Sequence, residues 1–345
     1  MESATTAATM PPAEVHSVPT SDGAEVRLTR YNFGTKGPLV LAPGYGNAAR
    51  AFALDTVPKN WAQYLGEHGY DLWLFDYRAS PELSASFTQF TVDDIAMRDW
   101  PAAIETVRTQ TGRDSVQAMG HCVGGLSLFM ALGGGMPGVR HALFSSLAGN
   151  PIPTPGNQAR AWVRLATLLK LLGVKRLDVA YDPSRWDGKL IETAMKVLPF
   201  RHVYDNPVAR RIYFVYGDVY RYENIDAATM NDAVPSFFGG GNMTFFEHMS
   251  LMIRAGAARD ARGRDVYWAN LENFDFPISF ITGEHNRMFV PKGLQRSYDT
   301  LRRAHGPRNY SHAVIPNYAH LDLWLGRNAE RDVWPTALAE LEKHN

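Results

Sequence analysis

Residues 116–132 read VQAMGHCVGGLSLFMAL: an apolar run, a knot of small residues around one cysteine, and a second apolar run. Cys122 is the only cysteine among 345 residues, with Gly120 two positions before it and Gly124 and Gly125 two and three after. A strand that ends in Gly-x-nucleophile-x-Gly and passes straight into a helix forms a sharp turn that lifts the central side chain above a sheet. Gly120-His121-Cys122-Val123-Gly124 has that form. Small residues are needed on both flanks because the strand and helix backbones pass close together there. The turn also places the central atom at the positive end of the following helix dipole, which predicts a lowered thiol pKa. The competing reading is a buried cysteine that happens to fall between glycines, since free cysteine is among the most buried residue types.

Outward from this stretch the chain alternates strand and helix patterns. Upstream, EVHSVPTSDGAEVRLTRYNF reads as an antiparallel hairpin about Ser21-Asp22-Gly23, and residues 38–42 form a buried apolar run ending in a Pro43-Gly44 turn. Apolar residues at helical spacing follow up to Gly69, then the strand YDLWLFDY, then a helix over 91–110 opened by a threonine cap and acids. Downstream of the cysteine come a helix to about Leu132 and the strand RHALFSSLAG. This rhythm predicts an α/β fold with a mostly parallel sheet covered by helices on both faces. From Asn150 to about Phe274 the strand rhythm stops and helical patterns and aromatic clusters replace it, which predicts an inserted helical cap over 151–274. The core resumes over 275–345 with the strand FPISFITG, a helix over 292–305, the strand HAVIP and a closing helix AERDVWPTALAELEKH. Residues 1–13 read as a flexible tail and residues 14–150 as the first part of the core.

Composition narrows the function. Hydrophobic residues make up 45% and charged residues 20%, and 35 Lys plus Arg balance 35 Asp plus Glu, so there is no electrostatic footprint for nucleic acid or an anionic membrane. A lone cysteine cannot form an internal disulfide, which suits a reducing compartment. The first residues show no basic start and no apolar core of a secretory signal, and no stretch reaches the ~18 apolar residues of a membrane span. A cytoplasmic location is expected. No His/Cys/Asp/Glu group has metal-ligand spacing, and the glycine-rich pieces GTKG and FGGGN lack the context of a phosphate loop, so neither metal nor cofactor is expected. The sequence leaves the oligomeric state open.

Two further segments bear on the cysteine. The strand PISFITG leads into EHNRMFVP, and HAVIPNYAHLDLW sets His320 in a loop after the last strand. Nucleophile, orienting residue and histidine then follow in the chain order of an α/β-hydrolase triad. The elbow, the LVLAPGYGN turn, ITGEHNRMFVP and the PNYAHLDLWLGRNAERDVWP ending together resemble α/β hydrolases over most of residues 25–343. The ending is similar to that of acid lipases, whose catalytic histidine matches His320. The elbow resembles that of polyhydroxyalkanoate synthases, which use a cysteine at the position of Cys122. The whole chain also resembles the hydrolase-like domain joined to some cholesterol-oxidase-type flavoproteins, without their flavin module and its glycine fingerprint.

The resemblance to lipases implies a serine and an aspartate where this chain has Cys122 and Asn286. In a serine triad, replacing the orienting aspartate costs about 10⁴ in turnover. A thiol needs a weaker base than a hydroxyl, and an asparagine can orient the histidine through its amide oxygen, as papain-like proteases do on another fold. Glu284 is the alternative carboxylate, although strand alternation points it elsewhere. The oxyanion hole is expected from the backbone N–H groups of Val123 and Tyr45, the latter after Pro-Gly where lipases usually have His-Gly. His121 is expected to pack on the opposite face of its strand. His248 and Asp322 are candidates for the substrate pocket, with structural roles as the alternative, and the aromatic run 211–222 either walls that pocket or packs the cap. These residues predict acyl transfer through a thioester on Cys122, using a lipophilic ester or a thioester carried on a coenzyme or carrier. An ester or thioester hydrolase with the same site is the nearest rival, and an inert binding protein the more distant one.

Overall fold

The computed structural model describes residues 9–147, 149–179, 193 and 206–345. Residues 1–8 of the expected tail, residue 148, and residues 180–192 and 194–205 of the expected insertion lie outside them. Among the described residues the strands are β1 (Glu14–Pro19), β2 (Glu25–Asn32), β3 (Lys36–Ala42), β4 (Tyr70–Asp76), β5 (Val116–His121), β6 (Val139–Ser145), β7 (Arg176–Leu177), β8 (Gly241–Asn242), β9 (Ile278–Gly283) and β10 (Tyr310–Ile315). Eight of them form one sheet in the order β1-β2-β4-β3-β5-β6-β9-β10. The hairpin β1–β2 and the β2–β4 pair are antiparallel, and every later neighbour is parallel.

Period-two alternation within the apolar strands explains how both faces are filled. In β3, Leu39 and Leu41 face one side with Leu72, Leu74, Trp61 and Trp334; Val40 and Ala42 face the other with Trp73, Phe75, Trp100 and Phe129. All residues of β4 and β5 are buried, as expected of strands with helices on both sides. The helices Trp61–Glu67 and Trp334–Glu342 cover the first side, Trp100–Thr111 and Val123–Gly133 the second.

Two helices differ from the sequence expectation. The first begins only at Trp61, where Asn60 and Gln63 form a reciprocal cap that fixes the start. The closing helix is split into Ala329–Asp332 and Trp334–Glu342, because Pro335 has no N–H to continue the ladder.

Among the described residues, the chain between β6 and β9 adds no strand to the main sheet. It contributes the helices Pro155–Trp162, Leu165–Leu171, Pro207–Val215 and Met243–Ala255 and the two-residue ribbon β7–β8. The helix Met243–Ala255 packs on the first two of these. Ala258, Tyr267 and Phe274 then rejoin the main core, with Phe274 stacked on Phe129 at 4.6 Å.

Candidate active site

β5 ends at His121 and the helix Val123–Gly133 starts one residue later, so Cys122 alone makes the turn, at φ 53° and ψ −119°. A non-glycine residue there is strained, and such strain persists only where the surroundings enforce it. The glycines supply the enforcement. A methyl on Gly120 would lie 2.5 Å from Gly125 Cα, and one on Gly124 would lie 2.3 Å from the Pro43 carbonyl oxygen. The helix therefore sits directly on β3 and β5, and the cysteine is pushed out at its tip.

Cys122 lies on a cavity of about 220 Å³ that is also lined by His320, Tyr45 and Val123. The rest of the wall is largely apolar: Leu165, Leu169, Phe214, Phe246, Met249 and Ile253 among others. Four residues of the aromatic run 211–222, Phe214, Val215, Tyr216 and Val219, line this cavity, while Ile212 and Tyr220 pack beneath it.

The backbone N–H groups of Val123 and Tyr45 lie near enough to the Cys122 sulfur to favour its ionised form. Those are the two amides expected to form an oxyanion hole. The Val123 amide is the first of its helix and has no intrahelical partner to satisfy. Tyr45 is held from outside its loop: its ring stacks on Phe245 at 3.5 Å, and its hydroxyl oxygen accepts from the Asn242 backbone N–H at 3.1 Å. The strand-end loop is fixed further by Asp76, which accepts from the Ala49 N–H at 2.7 Å, and by Tyr77, whose hydroxyl donates to the Pro43 carbonyl at 3.1 Å.

The electrostatics correct the expectation of a thiolate. The two amides pull the Cys122 pKa down, but burial outweighs them and pushes the thiol up to about 12. Burial likewise lowers His320 to about 3. Burial thus favours the neutral forms of both sulfur and imidazole over an ion pair.

The orienting residue also differs from expectation. Asn286 is buried behind the loop after β9, but its amide oxygen accepts from the N–H groups of Met288 at 3.0 Å and Phe289 at 3.2 Å, and its Nδ2 donates to Thr282 Oγ1 at 3.2 Å. Both lone pairs of that oxygen are used, so it does not hold the His320 ring. His320 Nδ1 is buried without a hydrogen-bond partner. Glu284 is exposed and accepts from the Asn317 N–H at 3.2 Å, away from the ring.

His121 is buried, but instead of packing away from the candidate site it lies against the His320 ring at 4.6 Å between centroids. Its Nδ1 lies 2.9 Å from Ser145 Oγ, which also accepts from Trp324 Nε1 at 2.8 Å. Burial and the neighbouring His320 hold His121 well below the usual histidine range.

Neither pocket candidate reaches the cavity. His248 turns inward, its Nδ1 accepting from the Val92 N–H at 3.2 Å and its Nε2 donating to the Arg259 carbonyl at 2.8 Å. It ties the cap-side helix to the helix start at Val92. Asp322 accepts from the Ala319 N–H at 3.0 Å and from Asn224 Nδ2 at 2.6 Å, and so closes the loop that carries His320. Burial raises its carboxyl to about 6. Sequence reasoning missed Asn47, a buried amide on the cavity wall close to Cys122. Its position just beyond the Pro43-Gly44 turn was the one available signal.

Comparison with solved structures gives, over 99% of this chain, a soluble variant of monoglyceride lipase from Saccharomyces cerevisiae at TM-score 0.63, 16% identity and 97% coverage of that chain. The chain has the α/β-hydrolase fold. An esterase from Pyrococcus furiosus matches 96% of the chain and 92% of its own length at TM-score 0.54 and 12% identity. Among curated proteins, a poly(3-hydroxyalkanoate) polymerase subunit from Haloferax mediterranei is 23% identical over 341 residues, 90% of this chain and 60% of its own length. The chain thus spans under two thirds of that relative's length. Lipase member K from Mus musculus is 22% identical over 364 residues, covering 96% of this chain and 88% of the lipase. No protein-family model matches the chain. Among the described residues, no helix is long and apolar enough to cross a membrane, and no cluster of His, Cys, Asp and Glu is arranged to hold a metal ion.

Proposed function

We propose that this chain is a cysteine-dependent acyltransferase that carries the acyl group as a thioester on Cys122. The observation that carries the reading is the placement of a strained cysteine and a histidine on one apolar cavity that Val123 and Tyr45 also line. The similarity to a polymerase subunit supports transfer, and the similarity to lipases supports a carbonyl substrate.

The neutral pair sets the order of events. Because the thiol rests protonated, its proton leaves as the sulfur attacks, not beforehand. Sulfur adds to the carbonyl carbon of an ester or thioester, and the S–H proton passes to His320. The carbonyl electron pair moves to oxygen, where the Val123 and Tyr45 amides receive it. Collapse expels the alcohol or thiol, which takes the proton back from His320. An acceptor alcohol, amine or thiol then attacks the thioester with His320 again as base. The aliphatic and aromatic wall selects a lipophilic acyl group.

Intact-protein mass spectrometry with a medium-chain acyl thioester tests this. The expected result is a mass increase of one acyl group, absent from Cys122→Ala and discharged by an added amine or alcohol to give the amide or ester. Release of free acid alone, with acceptor present, assigns the site to hydrolysis instead. Absence of any adduct on the native protein rejects covalent catalysis.

A further inference from the structure

The Asn47 side chain is 4% exposed and lines the cavity that holds Cys122. Its Oδ1 is buried without a partner, and no described residue hydrogen-bonds either end of the amide. Its backbone, in contrast, is fixed twice: the N–H donates to the Gly44 carbonyl at 3.2 Å, and the residue bridges to Phe238. A methyl placed on Gly44 would lie 3.2 Å from Asn47 Nδ2 and 3.3 Å from Cys122 Cβ, so the amide nitrogen and the nucleophile border the same small space. A polar group buried without a partner lowers stability, and the Nδ2–H group, which no described residue accepts from, is a donor left available to a ligand beside Cys122.

We infer that Asn47 is a catalytic residue whose Nδ2–H donates to the acyl oxygen of the substrate, as a third member of the oxyanion site beside the Val123 and Tyr45 amides. The assignment rests on the proposed acylation of Cys122. It explains why a dry cavity with a neutral thiol can react: the negative charge that develops on oxygen meets three donors already in place. It also explains why Nδ2 has no structural partner, because its partner is the substrate. A side-chain donor on a rigid turn is preorganised in the same way as a backbone amide and takes no reorganisation at the moment of attack.

The test compares the native protein with Asn47→Leu, which keeps the branched side-chain shape and removes the donor, and Asn47→Asp, which keeps the shape and places an acceptor or charge there. Two quantities are read: the single-turnover rate of Cys122 acylation by the acyl thioester used above, and the melting temperature. The expected result is acylation slowed by about 10²-fold or more in both variants, with the melting temperature of Asn47→Leu equal to or above native. Acylation of Asn47→Leu within threefold of a reactive native protein overturns the assignment and leaves the thioester mechanism standing. A melting temperature that falls together with the rate in Asn47→Leu also overturns it, by showing a structural role. A native protein that forms no adduct overturns both.

Discussion

Gly124→Ala is the substitution whose cost the structure specifies best. The added methyl would lie 2.3 Å from the Pro43 carbonyl oxygen, 2.8 Å from the Ala42 carbonyl oxygen and 3.0 Å from the Ala42 carbonyl carbon. Ordinary contact begins near 3.4 Å, so the helix Val123–Gly133 must move off β3 by about 1 Å, against backbone atoms that have no rotamer to change. Overpacking a core costs typically ~1–3 kcal/mol, and a clash with backbone lies at the upper end, about 3 kcal/mol out of a usual total of ~5–15. Urea unfolding followed by circular dichroism measures this as a lowered midpoint at unchanged slope. Gly156→Ala is the control: nothing lies within 4 Å of its added methyl, in the first turn of a helix, and it should be neutral or stabilising by up to ~1 kcal/mol. The displacement also separates the Val123 amide from the Tyr45 amide, so acylation of Cys122 should slow with the loss of stability. A Gly124→Ala protein within 1 kcal/mol of native refutes the account of the elbow as a turn held in strain by close backbone contact.

Iodoacetamide, which reacts with thiolate and makes no use of carbonyl-binding groups, should label Cys122 about 10³-fold more slowly than a small thiol at the same pH, since the thiol lies at about 12 against an ordinary 9.0. Labelling as fast as a free thiol contradicts the neutral resting pair. Stability should fall as pH drops from 6.5 to 5: His141 and His320 stand at about 3 in the fold against an ordinary 6.5, and His121 is also held low, so the unfolded chain takes up these protons first. Each ring removes up to about 1.4 kcal/mol per pH unit in that window; Asp99 and Asp322, both raised to about 6, add stability as pH falls toward 3.8 and offset about two rings, while the lowered His312 and His344 act with the three. A melting temperature that stays flat or rises between pH 6.5 and 5 is the contrary result. Asn286→Ala should cost about 1–3 kcal/mol in urea unfolding by leaving the Met288 and Phe289 amides unpaired, yet change the acylation rate by less than ~10-fold. A loss near 10⁴ in rate would restore Asn286 to the orienting role.

The sheet was legible because its strands are continuous apolar runs bounded by Pro-Gly, Gly and Asn turns, and because the elbow leaves no choice about which strand precedes which helix. Val123 and Tyr45 could be placed from the same logic, since a backbone amide's position follows from the turn alone. Side-chain commitments could not. Asn286 matches the position of a triad aspartate in sequence, but an amide has one accepting oxygen where a carboxylate has two, and the nearby backbone claims it. His248 and Asp322 looked available because sequence spacing does not reveal that Val92, Arg259, Ala319 and Asn224 are waiting for them. For Cys122 the helix-end field was foreseen, but the burial that raises its thiol was not.

The attachment of the Pro43–Ala49 loop has a mechanical consequence. Ala48 donates to the Phe237 carbonyl at 2.9 Å, Gly239 donates to the Gly46 carbonyl at 2.6 Å, and Asn242 donates to the Tyr45 hydroxyl, so the segment between β6 and β9 and the loop carrying the Tyr45 amide are stitched together. A lid hinged at this seam would tear out half of the anion-binding site each time it opened. Any opening of the cavity that spares this seam leaves the Tyr45 amide where it is.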